Sequence, residues 1–352
     1  MTQDGRTSSR LALRLVGSVG IAVGACGGPQ PSPSGPEPPT RVLTAQSAHP
    51  VASASPVPTE LNTPCSSARG LSPLPLPEFD DSPAPSRRNL QTWVHTLASP
   101  ALRGREAGTS DSQRTALLLA TYLERLGIAP GQSGDYCAPF ASATWRDQNV
   151  LAHRPPADAT CPWLVVGAHY DALGTDERGQ LFPGADDNAT GVAILLELAR
   201  LVHGGSVAPK LGLVLGFFGA EEKELAGSRA YVASPSVPLD RVALMINVDM
   251  AGRKPRGHPV IGFEAFGRDR AGTSRALQAV AKRARVSAVA MQLGERSDSA
   301  SFSPHVPSLF LCTTVHEDYH RPTDTADRVD FDQVERTLAL VIGLVRSLDC
   351  AR

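Results

Sequence analysis

Pro183-Gly184-Ala185-Asp186-Asp187-Asn188-Ala189-Thr190-Gly191 sets two adjacent carboxylates between glycines, directly ahead of the apolar run 192–198. A helix dipole rewards one acid at an N-terminus with under about 1 kcal/mol. A second charge beside the first is therefore left without a reason unless a cation sits there. The plain alternative is an Asp/Asn-capped helix start. It is weakened by other hard-metal ligands at the ends of the neighbouring strands.

Downstream, a helix is expected over 191–202, closed by Gly204-Gly205. Upstream, 149–152 and 163–168 read as strands, the second ending at His169-Tyr170-Asp171. The apolar run 211–218 suits a strand buried on both faces and ends at Ala220-Glu221-Glu222. A helix over 226–232 follows, then a buried strand over 242–248 that ends at Asp249. A helix over 272–285, a strand over 308–313 and a loop to His320 come next. Asp330 or Asp332 caps a last helix to Leu348, with Val329 and Val334 as its hydrophobic staple if Asp330 is the cap. Two further helices, 88–97 and 109–126, open the region, the second ended by Gly127. Strands alternating with helices predict an α/β fold: a mostly parallel, mixed central sheet covered by helices on both faces.

The 34 Lys and Arg residues balance 35 Asp and Glu residues, so no basic excess exists to neutralise phosphates and nucleic acid is not expected as a partner. Residues 1–26 are not part of the fold. Arg6, Arg10 and Arg14 precede a short apolar run too brief to span a bilayer, ending Val23-Gly24-Ala25-Cys26. Small residues before a cysteine resemble a bacterial lipoprotein signal, with Cys26 lipidated; an ordinary secretory signal is the alternative. Residues 27–87 are rich in Pro, Ser, Ala and Thr and read as a disordered tether. Residues 88–352 suit one large domain.

Export permits disulfides among Cys65, Cys137, Cys161, Cys312 and Cys350. Cys137 with Cys161 is one expected pair and Cys65 with Cys350 another. Cys312, in an apolar run, is expected as a buried thiol.

In open α/β sheets, functional groups gather beyond the carboxyl ends of strands. That edge would hold His169, Asp171, Glu221, Glu222, Asp249 and His320, with the Asp186-Asp187 turn beside them. Imidazoles and carboxylates suit Zn²⁺. One ion needs about three protein ligands, so this set suits two ions about 3.5 Å apart that share a carboxylate.

The blocks Gly167 through Asp171, Pro183 through Gly191, Phe218 through Ser228, Asn247 through Met250 and Asp318 through Asp324 occur in order. Together with Arg103-Gly104-Arg105, Ala107-Gly108-Thr109 and Asn149-Val150 they resemble metallopeptidase family 28. That family comprises the co-catalytic di-zinc aminopeptidases and relatives that include glutamate carboxypeptidase and glutaminyl cyclase. The resemblance covers about 88–348 and implies a zinc-exopeptidase, phosphorylase/hydrolase-like architecture. It implies that Asp187 bridges two Zn²⁺ ions, that His169 and Asp249 complete one site, and that Glu222 and His320 complete the other. Asp171 would orient His169, and Glu221 would be the general base that takes a proton from the attacking water and delivers it to the leaving amine. It also implies a cis peptide at Asp187-Asn188.

Ser297-Asp298-Ser299-Ala300-Ser301-Phe302 departs from the family, which commonly carries His where Ser299 stands. Asp298 is expected either to fix His320 or its loop, or to cap a helix. His316-Glu317-Asp318-Tyr319-His320 fits the single-zinc pattern H-E-x-x-H, but that chemistry needs both histidines on one helix face. Pro322 and the preceding strand oppose a helix there, so the match is read as accidental. The expected protein is an exported di-zinc exopeptidase acting on peptides, an aminopeptidase first. Glutaminyl cyclase or carboxypeptidase activity is the alternative, and a non-catalytic anchored binding module is the reading from another class. Membrane attachment through Cys26 and a monomeric state complete the expectation.

Overall fold

A computed structural model describes residues 65, 71, 74–131, 134–254, 258 and 260–350. Cys26, the leader and most of the tether lie outside them. None of the helices in this part is long and apolar enough to cross a membrane.

The chain enters through α1 (Arg87–Leu97), capped by Ser86, whose hydroxyl accepts from the Asn89 N–H. Helix α2 (Ser110–Arg125) is capped by Thr109. Strands β1 (Ala129–Pro130), β2 (Cys137–Ala141), β3 (Arg146–Arg154), β4 (Trp163–His169), β5 (Gly174–Thr175) and β6 (Leu181–Phe182) follow. Then come α3 (Thr190–His203), β7 (Gly212–Phe218), α4 (Ala226–Ala233), β8 (Val242–Val248), β9 (Val260–Phe266), α5 (Arg270–Ala284), β10 (Ser287–Ala290), α6 (Ser299–Phe302), β11 (Ser308–Cys312) and α7 (Phe331–Ser347). Asp330 caps α7 by accepting from the Gln333 N–H, and Val329 and Val334 are both buried there.

The main sheet runs β1-β3-β7-β4-β8-β11-β9-β10, with β2 also on β3. The four central strands β7, β4, β8 and β11 are mutually parallel. β3 joins β7, and β9 joins β11, antiparallel. The sheet is therefore mixed with a parallel centre. Successive residues of a strand point to opposite faces. Leu164, Val166 and Ala168 of β4 join the core shared with α1, α2, α3, α5 and α7, while Val165 joins Phe218, Tyr231 and Phe302 on the α4 and α6 face. All seven residues of β7 are buried, as expected of a strand covered on both sides.

The tether boundary expected at 87 falls inside packed structure. Leu71, Leu74, Leu76 and Phe79 lie against the core, and the Phe79 ring sits 4.8 Å from both Trp93 and Tyr122. Glu197 and Arg200 of α3 hold this segment. Glu197 accepts the Ser86 N–H at 2.7 Å, and Arg200 donates to the carbonyls of Ser82 and Ala84. Composition alone reads 74–86 as tether because prolines and serines hide Leu74, Leu76 and Phe79.

Both expected disulfides are corrected. Cys65 pairs with Cys137, and Cys161 with Cys350. Cys137 is in register with Val150, and Val150 with Phe217 near the carboxyl end of β7, whereas Cys161 precedes the first residue of β4. The two thus occupy opposite edges of the sheet and cannot meet. Cys312 is buried in β11 and belongs to neither bridge.

Candidate active site

The carboxyl ends of β4, β7 and β8 place His169, Glu221-Glu222 and Asp249 along one edge, and the turn before α3 carries Asp186-Asp187 into the same space. Gly184 takes the left-handed conformation with φ 58°, where a Cβ would stand 2.3 Å from the Asp187 carbonyl oxygen. Gly191 is equally confined, because a Cβ there would meet Asn188 Oδ1 at 2.4 Å and Val248 O at 2.5 Å. The two glycines of the opening stretch therefore let the acidic turn close on itself and on β8. The Asp187-Asn188 peptide is cis.

Asp187 stands at the centre. Its Oδ1 is 3.2 Å from His169 Nε2 and its Oδ2 is 3.2 Å from His320 Nε2. His169 Nε2 is also 3.3 Å from Asp249 Oδ1, and His320 Nε2 is 3.2 Å from Glu222 Oε2. Two trios result, His169 with Glu221 and Asp249, and Asp187 with Glu222 and His320, each with ligand atoms within 4.8 Å of one another. Nitrogen and carboxylate oxygen donors crowded in this way fit divalent zinc.

The charges show how strongly the cluster asks for a cation. Burial lifts the Glu221 carboxyl well above the ordinary carboxylate range against the pull of His169, and Glu222 and Asp249 add to it. Burial, then Asp187, raises Glu222 to about 7. Burial opposes charge on His320, yet its bonds to Asp187 and Glu222 prevail and raise it to about 10. Burial likewise opposes charge on His169, but Glu221 and Asp249 outweigh it and hold the ring well above its usual value. Burial would lift Asp187 too, but the bonds from both imidazoles keep it far below the ordinary range. Two imidazolium rings thus face four carboxyl groups, and a metal bound there would displace the imidazole protons.

Asp171 does more than face His169. Its Oδ1 is 3.6 Å from His169 Nδ1, and its two oxygens accept the amide N–H groups of Glu221 at 3.0 Å and Glu222 at 3.2 Å. One buried carboxylate therefore sets the ring of β4 and the acidic turn after β7 together.

Several supporting residues carry no assigned role in the sequence reading. Asp324 accepts the amide N–H groups of Asp186 and Asp187 and pairs with Arg253 at 3.1 Å. Ser297 donates to Asp249 Oδ2 at 2.6 Å. Arg105 is wholly buried and donates to the carbonyls of Tyr170, Leu97, Pro183 and Gly184, tying the end of β4 to the acidic turn. The motif Arg103-Gly104-Arg105 marked this arginine, but only the fold reveals its four acceptors. Asp186 is buried, accepts the Gly252 N–H at 2.6 Å and lies 3.2 Å from His316 Nε2.

Asp298 departs from both expectations. It makes no capping bond to the short α6, and no hydrogen bond links it to His320. Burial raises its carboxyl to about 7 against the pull of His169. Nothing in the structure explains Ser299, which is buried beside it. Residues 317–320 form turns rather than a helix, and His316 and His320 face different aspartates. The H-E-x-x-H match is therefore coincidental.

A mixed α/β sheet with paired acid and imidazole trios at its carboxyl edge describes a hydrolase class built for metal. The chain belongs to peptidase family M28, whose family model matches residues 149–345. It is 32% identical over 233 residues to the uncharacterized protein YfbL of Escherichia coli, covering 56% of this chain and 70% of that protein. It is 30% identical over 240 residues to the probable lipoprotein aminopeptidase LpqL of Mycobacterium tuberculosis, covering 57% of this chain but only 45% of that longer protein. The zinc aminopeptidase BSAP of Bacillus subtilis shares the fold with a TM-score of 0.63 at 17% identity, covering 75% of this chain and 95% of that one.

Proposed function

We propose that the protein is an exported di-zinc exopeptidase, an aminopeptidase that removes N-terminal residues from peptides. The observation that carries this is Asp187, whose two oxygens face His169 and His320 at 3.2 Å each. Asp187 would be shared by two ions, with His169 and Asp249 on one and Glu222 and His320 on the other. Such ions polarise a carbonyl and lower the pKa of water. The chain supplies the remaining chemistry. Glu221, with a carboxyl raised by burial, is suited to take a proton from the attacking water and return it to the departing amine, an effect worth about 10²–10⁴-fold. Asp171 fixes the direction in which Glu221 and Glu222 project by holding their amide groups. Arg105 and Asp324 hold the acidic turn in place from the far side.

Membrane attachment through a lipidated Cys26 fits the leader sequence, and the similarity to LpqL, a probable lipoprotein aminopeptidase, agrees with it. The deciding experiment counts zinc per chain and compares hydrolysis of amino-acid anilides with cyclisation of N-terminal glutamine. Two zinc ions and anilide hydrolysis are expected. One zinc with cyclisation alone would replace this reading by glutaminyl cyclase.

A further inference from the structure

Among the described residues, the cations near the cleft differ in their partners. Arg105 is saturated by carbonyls, Arg253 pairs with Asp318 and Asp324, and Lys223 faces Glu106 at 3.3 Å. Arg321 immediately follows His320, is exposed, and its side chain has no hydrogen bond or ion pair among the described residues. Yet it lines the same small cleft as Asp187, Glu222 and His320, which Leu173 and Phe182 also line. Its backbone is fixed. The Arg321 N–H donates to the Asp318 carbonyl at 3.0 Å, its own carbonyl accepts the Asp324 N–H at 3.1 Å, and Pro322 follows. The backbone of Arg321 is therefore fixed at the cleft, while its guanidinium fork has no partner among the described residues.

We propose that Arg321 is a specificity-determining residue that receives a carboxylate of the substrate, a conclusion that rests on the exopeptidase reading above. A planar guanidinium at the rim of the cleft matches a carboxylate with two parallel hydrogen bonds, a pairing that no described residue of the chain supplies to Arg321. Two sources share this chemistry: the free C-terminal carboxylate of a dipeptide, and an acidic side chain next to the scissile bond.

The test uses the zinc-loaded, full exported chain with matched substrates. Alanyl-alanine against its C-terminal amide reports on the terminal carboxylate. Alanyl-aspartate amide against alanyl-asparagine amide reports on the side chain. In the wild type kcat/KM favours the carboxylate member of at least one pair, and Arg321→Gln lowers that preference about three- to fivefold, the scale of a rim ion pair. The loss falls in KM, shrinks as salt rises, and the pair that responds identifies the source. Arg321→Glu reverses the preference. Ratios for both pairs that stay within about twofold of wild type in Arg321→Gln and Arg321→Glu overturn the assignment. Failure of the wild type to cleave any of the four peptides overturns the exopeptidase reading itself, and this assignment with it.

Discussion

The amide N–H of Glu221 donates to Asp171 Oδ1 at 3.0 Å, so the proposed base is aimed by a residue on a different strand end. Asp171→Asn keeps the shape but presents an amide N–H₂ where one backbone N–H now finds an acceptor. The expected result is zinc held about 10–100-fold more weakly and a lower kcat, measured by chelator competition and steady-state kinetics. Unchanged affinity and rate would remove Asp171 from the site.

Glu221→Gln preserves volume and removes the proton acceptor. Turnover should fall about 10²–10⁴-fold with the zinc content retained, checked by metal analysis beside kinetics. Full activity in this variant would falsify the role of Glu221 as base.

Metal binding should depend on pH in a definite direction. His320, raised to about 10, carries its proton at neutral pH and must release it to bind a metal. Zinc affinity therefore rises with pH up to about 10. Below about 7, where Glu222 also gains a proton, the fall in affinity steepens as a second proton competes. Calorimetry in buffers of differing ionisation enthalpy counts the released protons. A flat affinity between pH 6 and 9 contradicts this arrangement.

Glu197 is buried, accepts from Ser86 and Asn89, and pairs with Arg200 at 2.6 Å. Glu197→Ala leaves the Arg200 charge uncompensated, and breaking a buried pair from one side costs about 3–5 kcal/mol. Denaturant unfolding should show that loss while the zinc count per folded chain stays as in wild type. A loss under about 1 kcal/mol would mean that the pair behaves as if solvated.

Much of the centre was legible because charges at the ends of continuous apolar runs have few other reasons to be there. His169, Glu221-Glu222 and Asp249 each follow such a run, and the motif spacing set them on one edge. β9 and β10 were not expected. Gly262 and Glu264 interrupt the apolar character of β9, and its partner β11 lies more than forty residues away. The roles of Asp324 and Arg105 depend on which backbone groups come near them, and the hold of Asp171 on two amides likewise follows from tertiary position. The disulfides were misread for a similar reason: sequence separation does not say which sheet edge a cysteine occupies.

The packing of Phe79 against both Trp93 and Tyr122 has a practical consequence for anyone producing the protein. A truncation starting at residue 88 looks natural from composition, yet it would strip the Ser86 cap from α1, uncover two buried aromatic rings, strand Glu197 and Arg200, and leave Cys137 without its bridge. Recombinant versions should begin upstream of Cys65, and expression trials that start later would be expected to yield aggregate rather than enzyme.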